Sequence, residues 1–528
     1  MEKRPIISVY KLYNNCANRK KDTDNYDKLK LRVNELFGDS GWPLITSGWK
    51  ESEHFDLNSK MKIIIKLNRL AIKGRILNFI TRSVHTRPSM LKVKNVIGIS
   101  GAFGDLAYEV DGDEKAVEYV TLMKGMIKEV YGKELEAKDV EEMIDFERQI
   151  SKIFLEDSAS PKSESVVGMN SKYPSVDWKN ILRDLGIDLS KISLVDEKDQ
   201  VFLLNSPIAF KNSLSLIDDT HERLFKNYLG WRYFLFLAPF TSLTLRSLVF
   251  RFDNLTFQVE EQVDISEKCL QYAGSFMPFA VGKLFLDHYF RHDSEESKEK
   301  LIHQINNIIN GLKDSFYSMI DSNDWMDFST KKSAFKKLND MEVELFFPSF
   351  LADDKKLDDF YHGLNFKDDD FMSNVIEMYH WLSDKSFNEF RVAQEVHSWD
   401  QRSPTEVNAF YSISFNTINV PIGAIAGPFY DPNQPSVVNY GSLGVVLGHE
   451  ITHGFDSLGR RYDSAGQESD WWTEESKNSF INKSNCFVNQ YETFKLGEFP
   501  LQGAQVLDET IADAGGLAEA FKVRSLSD

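Results

Sequence analysis

Two histidines, His449 and His453, stand four positions apart in the stretch GHEITHGFD (Gly448 to Asp456), with Glu450 directly after the first. On an α-helix, positions i and i+4 lie one above the other on the same face. Two imidazoles so placed can hold one Zn²⁺, and Glu450 then comes within reach of a water beside it. The chemistry this suits is hydrolysis of a peptide bond. Leu443 to Leu447 is uncharged and mostly apolar, which predicts a buried helix whose polar side lines a cleft. The pattern fixes only three of five positions, so chance supplies it often and a third ligand is needed. Glu509 and Asp513 are again four apart and predict two carboxylates on one face of a late helix. Glu509 can complete a two-His-one-Glu set that leaves the fourth zinc position open. Asp513 can accept the spare N–H of a ligating histidine. Taken alone, the same pair also reads as two solvated carboxylates.

These groups need elements to position them. Phe410 to Val420 is rich in β-branched and aromatic residues and predicts one strand, ended by Pro421 and Gly423. A turn-rich loop through Gly427-Pro428 and Asp431-Pro432 leads to the histidine helix. A further helix is expected over Thr473 to Phe494, and the one carrying Glu509 over Leu507 to Ala514, stopping at Gly515-Gly516. Upstream, helical spacing dominates. Helices are expected over Tyr26 to Phe37, Glu114 to Tyr131, Glu141 to Phe154, Leu216 to Arg251, Ser266 to Phe290 and Ser297 to Ser318. Asp327 and Ser329 suit the start of another, continued by Lys331 to Leu338. Short β-like runs occur at Met61 to Ile65, Val93 to Ile99 and Gln200 to Leu204. The chain therefore reads as mainly α with small β elements.

At 528 residues the chain exceeds one typical core, so at least two lobes are expected. A formal net charge of −18 argues against nucleic acid or anionic membranes as main partners. Met1 to Asn15 has no sustained apolar run and so no signal peptide. The most apolar segment, Trp231 to Phe250, has an uncharged core from Tyr233 to Leu245. That falls short of the roughly 20 residues that span a bilayer and reads as a buried helix or helix pair. Cys16, Cys269 and Cys486 follow no zinc-knuckle spacing and by themselves read as buried thiols. Asn254-Leu255-Thr256 and Asn482-Lys483-Ser484 are glycosylation-type triplets of a kind common by chance.

Four segments in order, VNAFYS (Val407 to Ser412), NYGSLGVVLGHEITHGFD (Asn439 to Asp456), DWWT (Asp470 to Thr473) and ETIADAGGL (Glu509 to Leu517), resemble the neprilysin/endothelin-converting-enzyme family of zinc endopeptidases. Weaker similarity lies in LYNNCAN (Leu12 to Asn18), CLQYAGSFMPFAVGKLF (Cys269 to Phe285) and DWMDFSTKK (Asp324 to Lys332). The resemblance implies a two-lobed molecule: a large helical N-terminal lobe over 1–348, a connecting helical segment over 349–403, and a thermolysin-like (gluzincin) catalytic lobe over 404–528. It implies one zinc per chain on His449, His453 and Glu509, with Glu450 as general base. Asp513 matches the acidic residue behind the metal, sometimes assigned as a proton donor. Asn408 and Ala409 match the pair that holds the substrate backbone, and Phe429, Val445 and Val446 fall where the family lines an apolar pocket. Peptides cut before a large apolar residue are the implied substrates. Cys16 and Cys269 sit where the family has a disulfide, which implies an oxidising, extracellular or cell-surface compartment.

The departures from the pattern carry expectations of their own. No cytoplasmic tail or membrane anchor of the family's kind is present, and its Gly-Leu-Pro…Tyr-Tyr segment survives only as GAFGDLAY (Gly101 to Tyr108). The family's later histidine and arginine, and the usual partner of Cys486, would lie beyond Asp528. A fragment, an incomplete gene product or a truncated paralogue is therefore expected. Two competing readings follow: a zinc-binding but catalytically weak protein that acts by binding peptides or partners, and a chain too incomplete to fold stably. No feature sets the oligomeric state.

Overall fold

Most of the chain follows the 3.6-residue period. Helix Tyr26–Phe37 buries Tyr26, Leu29, Val33, Leu36 and Phe37 on one stripe. Helices Asp113–Tyr131 and Ala137–Leu155 repeat the pattern. The computed structural model describes residues 4–18, 26–70, 76–85, 93–102, 113–155, 161–257, 261–292, 294–368, 370–391, 399, 402–497 and 499–526. All but the first two residues of the GAFGDLAY segment lie outside them. The described residues are mainly helical, with three small sheets among them.

Several expected elements came out differently, each for a local reason. Met61 to Ile65 lies inside helix Leu57–Asn68: Asp56 caps it by accepting from the Ser59 amide, and the β-branched run supplies its buried face. The expected helix over Leu216 to Arg251 is three helices, Pro207–Asp219, Glu222–Thr241 and Leu243–Phe257. The last two meet at a bend of 116°, and Tyr228, Leu229, Trp231 and Phe234 are wholly enclosed. Among the described residues no single helix is long and apolar enough to cross a membrane. Ser266 to Phe290 is likewise two helices, Ile265–Phe276 and Pro278–Tyr289, because Pro278 cannot donate to the preceding turn.

Phe410 to Val420 is a hairpin rather than one strand. Phe410–Ser412 and Thr417–Pro421 pair antiparallel. Asn416 takes a left-handed φ of 51° in the turn between them. Its buried amide accepts from Tyr411 Oη at 2.9 Å and donates to Lys337 O at 3.0 Å. Thr417–Pro421 also pairs in parallel with Glu342–Phe346, so Phe410–Ser412 is the free edge of a three-stranded sheet.

The N-terminal half is joined to the rest at several points. Cys16 and Cys269 form a disulfide between helices Arg4–Ala17 and Ile265–Phe276, 253 residues apart in sequence. Asp327 caps helix Phe328–Asn339 through the Ser329 and Thr330 amides and also accepts from Ser476 Oγ at 2.6 Å and from Thr473 Oγ1. Thr473 itself caps helix Glu474–Tyr491, so one carboxylate starts one helix and anchors the start of another. Those bonds hold its carboxyl far below the usual carboxylate range. Helix Glu295–Ser322 reaches the C-terminal helix, where Ser315 Oγ donates to Glu519 O at 3.0 Å.

Candidate metal centre and active site

His449 and His453 sit on helix Val445–His453, which continues a π-helical turn over Tyr440–Gly444. Leu447 and Ile451 are fully buried on its inner face, while both imidazoles face a cleft of about 550 Å³. The helix carrying Glu509 runs over Leu507–Leu526 and does not stop at Gly515-Gly516. Those glycines let two helices touch. A Cβ on Gly516 would lie 2.5 Å from His449 N and Val445 O, and one on Gly515 would lie 2.2 Å from Thr452 Oγ1. Gly448 closes the contact from the other side, where an added Cβ would meet Gly516 Cα at 2.8 Å.

This close approach delivers Glu509 to the histidines. Its Oε2 lies 3.4 Å from His449 Nε2 and 3.7 Å from His453 Nε2. Tetrahedral zinc with ligand bonds of about 2.0–2.1 Å places its donors about 3.3 Å apart. Two imidazole nitrogens and one carboxylate oxygen, all within 4.8 Å of one another, therefore suit zinc in both spacing and chemistry. Each imidazole is held from behind. Asp513 Oδ1 lies 2.8 Å from His449 Nδ1, and Asp456 Oδ2 lies 2.7 Å from His453 Nδ1. Carboxylates there require Nδ1–H and leave both Nε2 lone pairs facing Glu509. Burial alone would lower the His453 pKa, but the Asp456 bond and nearby carboxylates outweigh it and raise it.

Glu450 is only 5% exposed, in contrast to Glu509 and Asp513 at the mouth of the cleft. Burial raises its pKa, opposed by the histidines and by the Tyr411 backbone amide of the edge strand. Asn408 is exposed and Ala409 buried just before that strand, where Asn408 Oδ1 accepts from the Ala409 amide at 3.0 Å. Asn408, Ala409, Val445 and Val446 all line the cleft with the metal donors. Phe429 is not among its lining residues. Its side chain is half-buried against the core, and its carbonyl accepts from Ser442 Oγ at 2.6 Å.

Three further residues gained no role from sequence. Asp456 supports His453, and its position three residues on, within one helical turn, was the available signal. Lys337 is buried beneath the site and donates to Gly459 O and Tyr462 O, both at 2.7 Å. Burial pushes its pKa down to about 7, and nothing in a Lys-rich helix marks that one lysine. Glu519 is wholly buried where the two site helices meet.

A histidine pair, a carboxylate from a second helix and a buried acid beside a free strand edge are the framework of a metallopeptidase. The chain belongs to peptidase family M13, whose N-terminal domain matches residues 3–348 and whose other domain matches residues 408–527. Neprilysin-2 of Drosophila melanogaster is 29% identical over 370 residues, 67% of this chain and 46% of that protein. Human neprilysin is 27% identical over 552 residues, 98% of this chain and 71% of the relative. The chain thus spans about half the length of some relatives and under three quarters of others. The Mycobacterium tuberculosis zinc metalloprotease Zmp1, solved with an inhibitor, shares the fold with a TM-score of 0.78 at 21% identity, covering 99% of this chain and 80% of its own. PepO from Lactobacillus rhamnosis gives a TM-score of 0.76 at 17% identity, covering 98% and 78%.

Proposed function

We propose that this chain is a zinc-dependent endopeptidase acting on small peptides, with one zinc held by His449, His453 and Glu509. The observation that carries the reading is the triangle of donor atoms at zinc spacing beside a buried glutamate. Zinc in such a site polarises a carbonyl and brings the pKa of a water toward about 7. Glu450, with its pKa raised by burial, takes the proton from the attacking water and passes it to the leaving amine. Asp513 and Asp456 hold the imidazoles in the tautomer that keeps Nε2 free. Asn408 and the edge strand offer backbone groups to an extended peptide, as a sheet edge does. Val445 and Val446 give the cleft an apolar wall that favours cleavage before a large apolar residue.

In this reading residues 1–348 form the helical lobe, 349–403 connect, and 404–528 carry the chemistry. The Cys16–Cys269 disulfide favours an extracellular or cell-surface setting. The test is hydrolysis of a diverse peptide library by zinc-loaded protein. Glu450→Gln should reduce turnover by at least about 100-fold, the low end for losing a positioned base, while zinc content is unchanged. Equal rates for the two proteins would refute the assignment. Stoichiometric zinc without any cleavage would favour a peptide-binding role.

A further inference from the structure

Among the described residues, the charged groups lining the cleft, apart from the histidines, are Glu450, Asp456, Glu509, Asp513 and one cation, Arg402. Arg402 stands at the opposite end of the edge strand from the turn, and it is built in rather than trailing. Its backbone N–H donates to Trp399 O at 2.7 Å, and its guanidinium lies 4.4 Å from the centre of the Phe410 ring. Phe410, the first residue of the strand, packs edge-on against the fully buried Trp399 with 5.7 Å between ring centres. An aromatic platform of this kind occupies one face of a guanidinium and leaves its in-plane N–H fork available.

Arg402 has one ion partner among the described residues, Glu406, at 3.8 Å, and both side chains are well exposed at 51% and 37%. Such a pair contributes little in water. Glu406 Oε1 is also engaged by the Ser403 amide at 3.1 Å. The guanidinium therefore rests against one ring and, among the described residues, has one weak ion partner. Among the described lining residues the acids outnumber this one permanent cation, so a substrate carboxylate is best received at Arg402. A planar fork is suited to a carboxylate, which it can bind through two parallel hydrogen bonds. Arg402 lines the same cleft as the metal donors, along which a peptide paired with the strand advances about 3.3 Å per residue.

We propose that Arg402 is a specificity-determining residue whose guanidinium receives a carboxylate of the peptide, borne by an Asp or Glu side chain or by the peptide C-terminus, within about three residues of the cleaved bond. The inference rests on the peptidase reading above and adds a substrate class to it: acidic or C-terminally short peptides.

The test uses matched peptides sharing one cleavable bond. In one arm Asp is exchanged for Asn at each position within three of the bond; in the other the C-terminus is a free acid or an amide. The kcat and KM of the wild type, Arg402→Gln, Arg402→Lys and Arg402→Glu are measured with zinc bound. Affinities of the same peptides are measured on the Glu450→Gln background by fluorescence anisotropy, and melting curves check that each variant folds. The wild type should favour one carboxylate peptide about 10- to 100-fold, the range expected of a charge-assisted pair, mostly through KM. That ratio should vanish in Arg402→Gln, recover partly in Arg402→Lys, and invert in Arg402→Glu. Sensitivity to Asp against Asn assigns a side-chain carboxylate, and sensitivity to amidation assigns the terminus. No preference in the wild type, or the same ratio in Arg402→Glu, overturns the proposal while leaving the peptidase reading intact. If no peptide is cut, the peptidase reading falls, and the anisotropy ratios alone decide whether Arg402 reads a carboxylate.

Discussion

Asp456 serves two neighbours with its two oxygens. Oδ2 faces His453 Nδ1, while Oδ1 accepts from the Leu458 and Gly459 amides at 2.9 and 2.6 Å. The imidazole is thereby tied to the turn that follows its helix. Substitution by Asn keeps an oxygen for the turn but puts an amide against Nδ1, where an acceptor is required. Losing such a partner typically weakens metal binding about 10- to 100-fold. Asp456→Asn should therefore lower zinc affinity by about 10-fold or more in a chelator competition, with little change in melting temperature. Unchanged affinity would show that the turn, not the hydrogen bond to Nδ1, fixes His453. Spacing showed that His449 and His453 share one helix face and Glu509 and Asp513 another, because helical periodicity turns sequence offsets into faces; that the two faces meet was not in the spacing. Asp456 lies in the same stretch, but an aspartate just past a helix end has many ordinary uses, and only its contact with His453 in the fold singles it out.

The two site helices show what element-level reading misses. Gly515-Gly516 resembles a helix stop, yet it lies mid-helix, and its missing side chains let Glu509 approach the histidines. Glycine inside a helix costs about 1 kcal/mol relative to alanine, a cost offset here by contact that no larger residue permits. The same interface encloses Glu519. Thr452 Oγ1 lies 2.9 Å from Gly448 O and 2.8 Å from Glu519 Oε1 but has one proton to donate. Glu519 Oε2 is buried without a hydrogen-bond partner among the described residues. A protonated Glu519 suits both facts, and burial raises its pKa well above the ordinary value. A glutamate whose pKa is raised by folding contributes fully below its unfolded value, near 4.3–4.5, and loses that contribution as pH rises toward the folded value. Each unit of upward shift corresponds to about 1.4 kcal/mol. Glu519→Gln should therefore melt within a degree or so of wild type near pH 4 and progressively above it by pH 8, by a few degrees. Parallel melting curves across that range would show that Glu519 is ionised in the fold. The hairpin at Phe410–Pro421 was hidden for a related reason. Its composition is β-like throughout, and a single asparagine with left-handed backbone makes the turn.

At the scale of the molecule, buried apolar residues from Val9 to Ala520 form a contiguous core among the described residues and join the disulfide-linked helices to the site. Helix content, and an apolar run too short to span a bilayer, were readable from composition and length. The breaks at Thr220 and Ser242 were not, since tertiary packing decides where a long apolar run folds back on itself, whereas Pro278 was a local signal for the break before it. His449, His453, Glu509, Glu450 and the edge strand share one cleft, so in the peptidase reading metal loading and peptide hydrolysis should rise and fall together. The most direct measurement is peptide hydrolysis by chelator-treated protein as zinc is added back, with Glu450→Gln titrated alongside. The account predicts that wild-type activity rises from near zero to a plateau at one zinc per chain, while Glu450→Gln takes up the same zinc and stays inactive. Activity that survives removal of the metal, or equal plateaus for the two proteins, would contradict it.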